Sequence, residues 1–178
     1  MSTQPEISDS GAFVGALVFL RGEKDANLAE IHSGLLRENG VAAGVPLLGG
    51  GWNILLRLAV KDRESLDQLI EKHIRPIKGV EDFEAYYCKE TWTASGDSAE
   101  CKASTCAVLD VDSGSLAALI ARLRAMAGVA EGNVADGGKQ IILFLQGNSS
   151  REIRKVPGEE IRRLPGVLRV KLFDTMCF

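Results

Sequence analysis

Apolar positions along this 178-residue chain follow strand and helix periods in an order that occurs twice. In the first half, apolar runs with the strand period alternate with amphipathic helical segments. Strands are predicted at 12–21, 41–48, 52–60 and 80–88, and helices at 25–39 and after Asp62. The resulting order, βαββαβ, is that of a ferredoxin-like unit.

The second half predicts the same order. Strands are expected at 103–111, 129–135, 139–146 and 167–173, with helices at 113–127 and from Ser149. Short segments recur at a nearly constant offset, as Gly40-Val41 and Gly128-Val129 do at 128 − 40 = 88 residues. Such coherent offsets indicate an internal duplication. Pro157 falls inside the last helix and predicts a kink or a break there.

These elements divide the chain into a disordered tail at 1–11, a first unit at 12–88, a polar linker at 89–101 and a second unit at 102–178. Strand segments 17–20 and 141–145 are apolar at every position, so both faces of each sheet require cover. We therefore expect an α+β fold in which tandem ferredoxin-like βαββαβ units pack their sheets face to face, like a dimeric α/β barrel. Dimerisation through the same faces is the alternative.

Composition narrows the classes of function. The chain is 46% apolar and 25% charged, with a net charge of −3, which is ordinary for a globular protein. It has no block of Lys and Arg, so we expect no direct contact with nucleic acid. The longest apolar run, 11–20, is too short to cross a bilayer, and the N-terminal residues do not form a secretory signal. A cytoplasmic location is therefore predicted, with reduced cysteines.

Two groups of residues are candidates for chemistry. Consecutive glycines at 49–51 would let backbone N–H groups approach a small anion such as an amino-acid carboxylate, although a hairpin turn alone also explains them. Four cysteines could converge on zinc or an iron–sulfur cluster, but their spacing is a weak signature. Ordinary buried or terminal thiols are the favoured interpretation, so no cofactor is predicted; the cysteines are Cys88, Cys101, Cys106 and Cys177.

The segment Gly50-Gly51-Trp52-Asn53, with the apolar strand after it and the closing segment 74–80, resembles the effector-binding (RAM) module of the Lrp/AsnC family of transcription regulators. The resemblance covers about residues 12–88, and Asn53 stands where the family usually has Asp. It implies a non-enzymatic sensor without the DNA-binding domain. The sensor would bind a small effector, an amino acid, at Gly50, Gly51 and Asn53, and would act through a protein partner or a homo-oligomer.

Segments of the second unit also resemble NapD, a chaperone that binds the signal peptide of periplasmic nitrate reductase. They are Gly138-Lys139-Gln140, Arg151-Glu152-Ile153 and Leu164-Pro165-Gly166. The alternative function is therefore a cytoplasmic chaperone that binds the leader peptide of a redox enzyme. An enzyme ranks last, because the pattern places no His and no pair of acids between the two sheets.

Overall fold

The computed structural model describes residues 14–60, 62–93 and 103–176. The predicted tail at 1–11 lies outside the described residues. The βαββαβ order occurs in both halves of the chain. The N-terminal half contains β1 (Val14–Gly22), α1 (Leu28–Leu35), β2 (Val41–Leu48), β3 (Ile54–Val60), α2 (Arg63–Leu69) and β4 (Val80–Thr93). The C-terminal half contains β5 (Ala103–Val111), α3 (Leu116–Ala125), β6 (Val129–Ala135), β7 (Gln140–Gly147), α4 (Ser150–Lys155) and β8 (Val167–Thr175).

The eight strands form a closed antiparallel barrel in the order β1-β3-β2-β8-β5-β7-β6-β4. Each half contributes four neighbouring strands, and the two sets join where β4 pairs with β6 and where β2 pairs with β8. The predicted fold class is confirmed. The inner faces of the two sheets face each other, and their edges also join to close the barrel.

The second helix of each half, α2 or α4, begins with a side-chain cap and continues into a wider π-helical turn. Asp62 and Ser149 accept hydrogen bonds from the backbone N–H groups of the third helical residues, which satisfies donors that a helix start leaves free. The helical path continues past α2 as a π-turn at Ile70–Ile74 and past α4 as a π-turn at Val156–Glu160. Pro157 predicted this irregularity in the second half only, yet α2 widens at the matching position without a proline.

Apolar side chains are divided into three layers, because the strands are buried on both faces. One layer fills the barrel interior and includes Phe19, Phe144 and Phe173. The other two lie outside the barrel, between each set of strands and its own helices. Alternation along β1 shows the division, since Leu17 and Phe19 point inward whereas Val18 and Leu20 face the helices. None of the helices in the described part of the chain has the length and apolarity needed to span a membrane.

Strand β4 carries the chain from one half into the core of the other. Residues 89–93, which the polar pattern assigns to the linker, continue this strand and pair with β6. Trp92 there is only 6% exposed and packs among the apolar residues of the second half. Its indole lies over Gly132, where an added Cβ would come within 2.0 Å of the ring. This close approach explains why β6 has a glycine at its centre.

Replacing Gly132 with alanine should destabilise the protein, because Trp92 would have to leave the site that it fills. We expect the free energy of unfolding to fall by about 1–3 kcal/mol, the usual cost of overpacking a core. Urea denaturation followed by circular dichroism measures this change.

Gly34→Ala is the matched control, since Gly34 lies in α1 with no heavy atom within 4 Å of an added Cβ. That variant should gain about 0.5–1 kcal/mol from better helix propensity. Equal stabilities for the two variants would contradict the role given to Trp92 and Gly132.

Candidate functional site

The predicted glycines form the turn between β2 and β3. Gly49, Gly50 and Gly51 all have positive φ, at 87°, 77° and 81°, a region that other residues enter only with strain. An added Cβ on Gly50 would lie 2.6 Å from the Phe173 ring, whereas Gly49 and Gly51 face open space. The turn is therefore pressed against the barrel at its centre and exposed on both sides. None of the three N–H groups donates to a backbone carbonyl of the described residues.

Asn53 fixes the base of this turn. Its side-chain Oδ1 accepts a hydrogen bond of 2.9 Å from the backbone N–H of Gly22. Its backbone N–H donates to the Leu20 carbonyl, and its own carbonyl accepts from the N–H of Leu47. The side-chain oxygen of Asn53, a predicted ligand-binding residue, thus joins the β2–β3 turn to the end of β1.

A cation and an aromatic ring lie beside the turn. The Arg21 guanidinium carbon is 5.3 Å from the centre of the Trp52 ring, within the range of a cation–π contact. Arg21 also pairs with Asp82 at 2.9 Å and with Glu81 at 3.2 Å. The positive charge next to the glycines is therefore largely balanced, so an anion at the turn would depend mainly on backbone N–H groups.

The described cysteines are thiols in apolar surroundings. Cys106 is fully buried in the barrel interior, and burial raises its pKa above the ordinary value. Burial also raises the pKa of Cys88 to about 12, with the Leu17 backbone and the Arg57 charge acting in the opposite direction. Cys101 and Cys177 lie outside the described residues. Within the described ranges, no three His, Cys, Asp or Glu side chains are placed to hold a metal ion.

A polar network that the sequence pattern did not predict lies inside the barrel. Arg57 on β3 pairs with Glu131 on β6 at 2.7 Å, and Glu131 also accepts a hydrogen bond of 2.9 Å from the Asn133 side chain. Thr91 on β4 donates to Asn133 at 2.9 Å. The weak signal for it was a single charged residue, Arg57, within an otherwise apolar strand. Its partner is 74 residues away, so only the closed barrel brings the two together.

Residues 15–96 match the family model of the Lrp/AsnC ligand binding domain. The match runs from the second residue of β1 past the end of β4, and it includes the glycine turn and the β4 extension that carries Trp92. No curated protein gives a significant match to the sequence. The coarser part of the sequence-based prediction is thereby confirmed: this half of the chain is similar to a regulatory ligand-binding domain.

Solved structures share the fold over nearly the whole chain. The siroheme decarboxylase NirDL superposes with a TM-score of 0.67 at 12% identity, covering 93% of this chain and 72% of that one. A monooxygenase-like protein from Fusobacterium nucleatum subsp. nucleatum ATCC 25586 gives 0.58 at 8% identity, covering 93% and 92%. One from Lactobacillus acidophilus NCFM gives 0.54 at 9% identity, covering 93% of both.

The prediction of a non-enzymatic protein is wrong in view of these neighbours, which include a decarboxylase and monooxygenase-like proteins. That prediction rested on the absence of a His and of a pair of acids between the two sheets. The network of Arg57, Glu131 and Asn133 adds that inward-facing strand positions carry charged and amide side chains, which the sequence pattern did not predict. The fold is therefore compatible with catalysis.

The raised pKa values predict slow thiol chemistry. At about pH 8 Cys88 and Cys106 should react with iodoacetamide far more slowly in the folded protein than in urea, because the thiolate is the reactive form. Peptide mass spectrometry identifies the labelled residues. Because burial raises both thiol pKa values in the folded state, the protonated thiols favour folding fully below about pH 9. Their contribution to the free energy of unfolding is lost as the pH rises towards 12. Labelling of Cys88 at the rate of the denatured chain would contradict this.

Proposed function

We propose that this protein is a ligand-binding module of the Lrp/AsnC effector type, which takes a small metabolite, an amino acid, at the turn formed by Gly50, Gly51 and Asn53. The observation that carries the proposal is the family match over residues 15–96, which includes the whole turn. Ligand binding is the activity that the description of this domain names.

The shape of the turn supports an anion site. Three successive glycines hold positive φ, and a Cβ added at Gly49 or Gly51 would meet no heavy atom within 4 Å, so the turn leaves room for a small anion near its backbone. Phe173 beneath Gly50 keeps the turn in place. Asn53 is a positioning residue in this proposal, because its Oδ1 already holds the Gly22 N–H.

Exposed apolar side chains next to the turn support a link between ligand binding and assembly. Leu48 is 63% exposed and Met176 is 59% exposed, and they lie where β2 meets the end of β8. A ligand at the turn would lie at the edge of any contact that covers these two side chains. Binding would then favour the associated form in proportion to the ligand's preference for it.

An amino-acid ligand should raise the melting temperature of the protein and should fail to do so for Gly51→Ala. The methyl group would project from the open side of the turn, and alanine resists positive φ by about 1–2 kcal/mol. Thermal shift measurements against each of the twenty amino acids, followed by calorimetric titration of any that stabilise, test this. A ligand at about 100 times its Kd stabilises by about 2.7 kcal/mol, which such measurements detect readily.

Gly137→Ala is the matched control, since Gly137 has a φ of 67° in the β6–β7 turn and also faces open space. Both variants should lose similar stability without ligand, and only Gly51→Ala should lose the ligand response. The proposal would be wrong if no amino acid stabilised the protein, or if both variants responded equally to the ligand.

Tetrapyrrole binding is a second candidate. The structure of NirDL with an iron-uroporphyrin III analogue also superposes on this chain, with a TM-score of 0.66 over 93% of its length. Titration with iron uroporphyrin III, followed by its visible absorption, tests this candidate. A saturable shift of the absorption band would favour it over the amino-acid effector, whereas an unchanged spectrum would dismiss it.

A further inference from the structure

A cavity of about 280 Å³ lies where β3, β1, β4 and β6 run side by side. Its lining includes the interior residue Leu17, backbone and small side chains of β1 and β3, and the side chains of Arg57, Cys88, Thr91 and Asn133. Lys89 lies at its exposed rim. None of the residues of the glycine turn lines it. The volume is near the lower end of the range of about 300–1,000 Å³ that is usual for small-molecule sites.

Two charged side chains line this Arg57 cavity among the described residues, Arg57 and Lys89. Glu131 pairs with Arg57 and offsets its charge, so the positive charge that remains is that of Lys89. The Cys88 thiol stays protonated at neutral pH because burial raises its pKa to about 12, so it adds no negative charge. Thr91 and Asn133 contribute a hydroxyl and an amide. A ligand that complements this lining carries a negative charge.

The guanidinium of Arg57 is held in place from two sides. Glu131, whose side chain is 14% exposed, pairs with it at 2.7 Å from behind the cavity lining. The Phe144 ring lies 5.4 Å from the guanidinium carbon. The Asn133 amide donates to Glu131 at 2.9 Å, and the Thr91 hydroxyl donates to Asn133 at 2.9 Å. Such fixed guanidinium groups suit the planar geometry of a carboxylate.

The remaining wall of the cavity is apolar and has room at one position. The side chain of Leu17 lies in the barrel interior and matches an aliphatic tail, whereas the side chains of Ala16 and Leu58 pack in the layer under the helices. Gly15 also lines it, and a Cβ there would meet only the Leu58 carbonyl oxygen, at 3.5 Å. The cavity therefore pairs a cationic end with an apolar wall.

We propose that the Arg57 cavity binds a small aliphatic carboxylate, with its carboxylate between Arg57 and Lys89 and its tail along Leu17. This site is separate from the glycine turn and does not depend on the function proposed for it. It gives the barrel interior a binding role that the family match does not specify.

Titration of the ¹⁵N-labelled protein with sodium butyrate, followed by two-dimensional NMR, tests the proposal. We expect saturable shifts of the backbone amides of Gly15, Thr91 and Asn133. Butylammonium chloride has the same tail and the opposite charge, and sodium chloride matches the ionic strength; neither should produce these shifts. No saturable shift with butyrate, or equal binding of butylammonium, would overturn the proposal.

Two variants test whether the cavity binds butyrate or whether the Arg57–Glu131 pair has only a structural role. Gly15→Val fills the cavity without removing any polar group, so butyrate binding should be lost while the spectrum stays that of a folded protein. Lys89→Gln, at an exposed position, should weaken binding about tenfold, as expected for one charge-assisted hydrogen bond. Butyrate affinity equal to that of the unmodified protein in both variants would show that the pair only joins the two halves.

Two further variants complete the design. Gly137→Ala, in a turn that does not line the cavity, should bind butyrate normally. The amide shifts of Gly15, Thr91 and Asn133 report this cavity and not the glycine turn, so a failure of the amino-acid site leaves this result intact. If Gly15→Val does not fold, Thr91→Val replaces it, because Thr91 lines the cavity and supports Asn133. Weaker butyrate binding in Thr91→Val supports the proposal, and unchanged affinity counts against it.

Discussion

The strands of this protein are apolar on both faces, so each sheet has to be covered twice. Helices cover one face in each half, and they leave the other face with side chains such as Leu17 and Phe144 that water solvates poorly. Placing the two inner faces together buries both sets at once and requires no further element. The barrel is the consequence of this requirement.

Closure of the barrel is unequal on its two sides. Five residue pairs join β4 to β6, whereas two pairs of described residues join β2 to β8. The longer seam also carries Trp92 across the boundary between the halves, and Gly132 leaves the space that its indole needs. The halves are therefore joined by side-chain packing as well as by backbone hydrogen bonds. The shorter seam leaves the glycine turn, Leu48 and Met176 at the surface.

Joining two sheets also places polar groups where neither sheet alone would have them. Arg57 of the first half, half-buried, pairs with Glu131 of the second half, and Asn133 holds Glu131 in position. Glu131 is only 14% exposed, and a buried charge without such a partner would cost several kcal/mol. The same arrangement lines a cavity in one part of the barrel with the side chains of Arg57, Thr91 and Asn133.

Local patterns determined much of this protein. The order of strands and helices, the two-sided burial of β1 and β7, and the glycine turn at 49–51 follow from periodicity and residue type, because each depends on near neighbours in the chain. Tertiary structure decided the rest. Residues 89–93 form a strand because they pair with β6. The Asn53 side-chain oxygen accepts a hydrogen bond from Gly22, and Arg57 pairs with Glu131, which is 74 residues away in the sequence. Contacts between residues so distant in sequence leave no local pattern, and only the closed barrel brings them together.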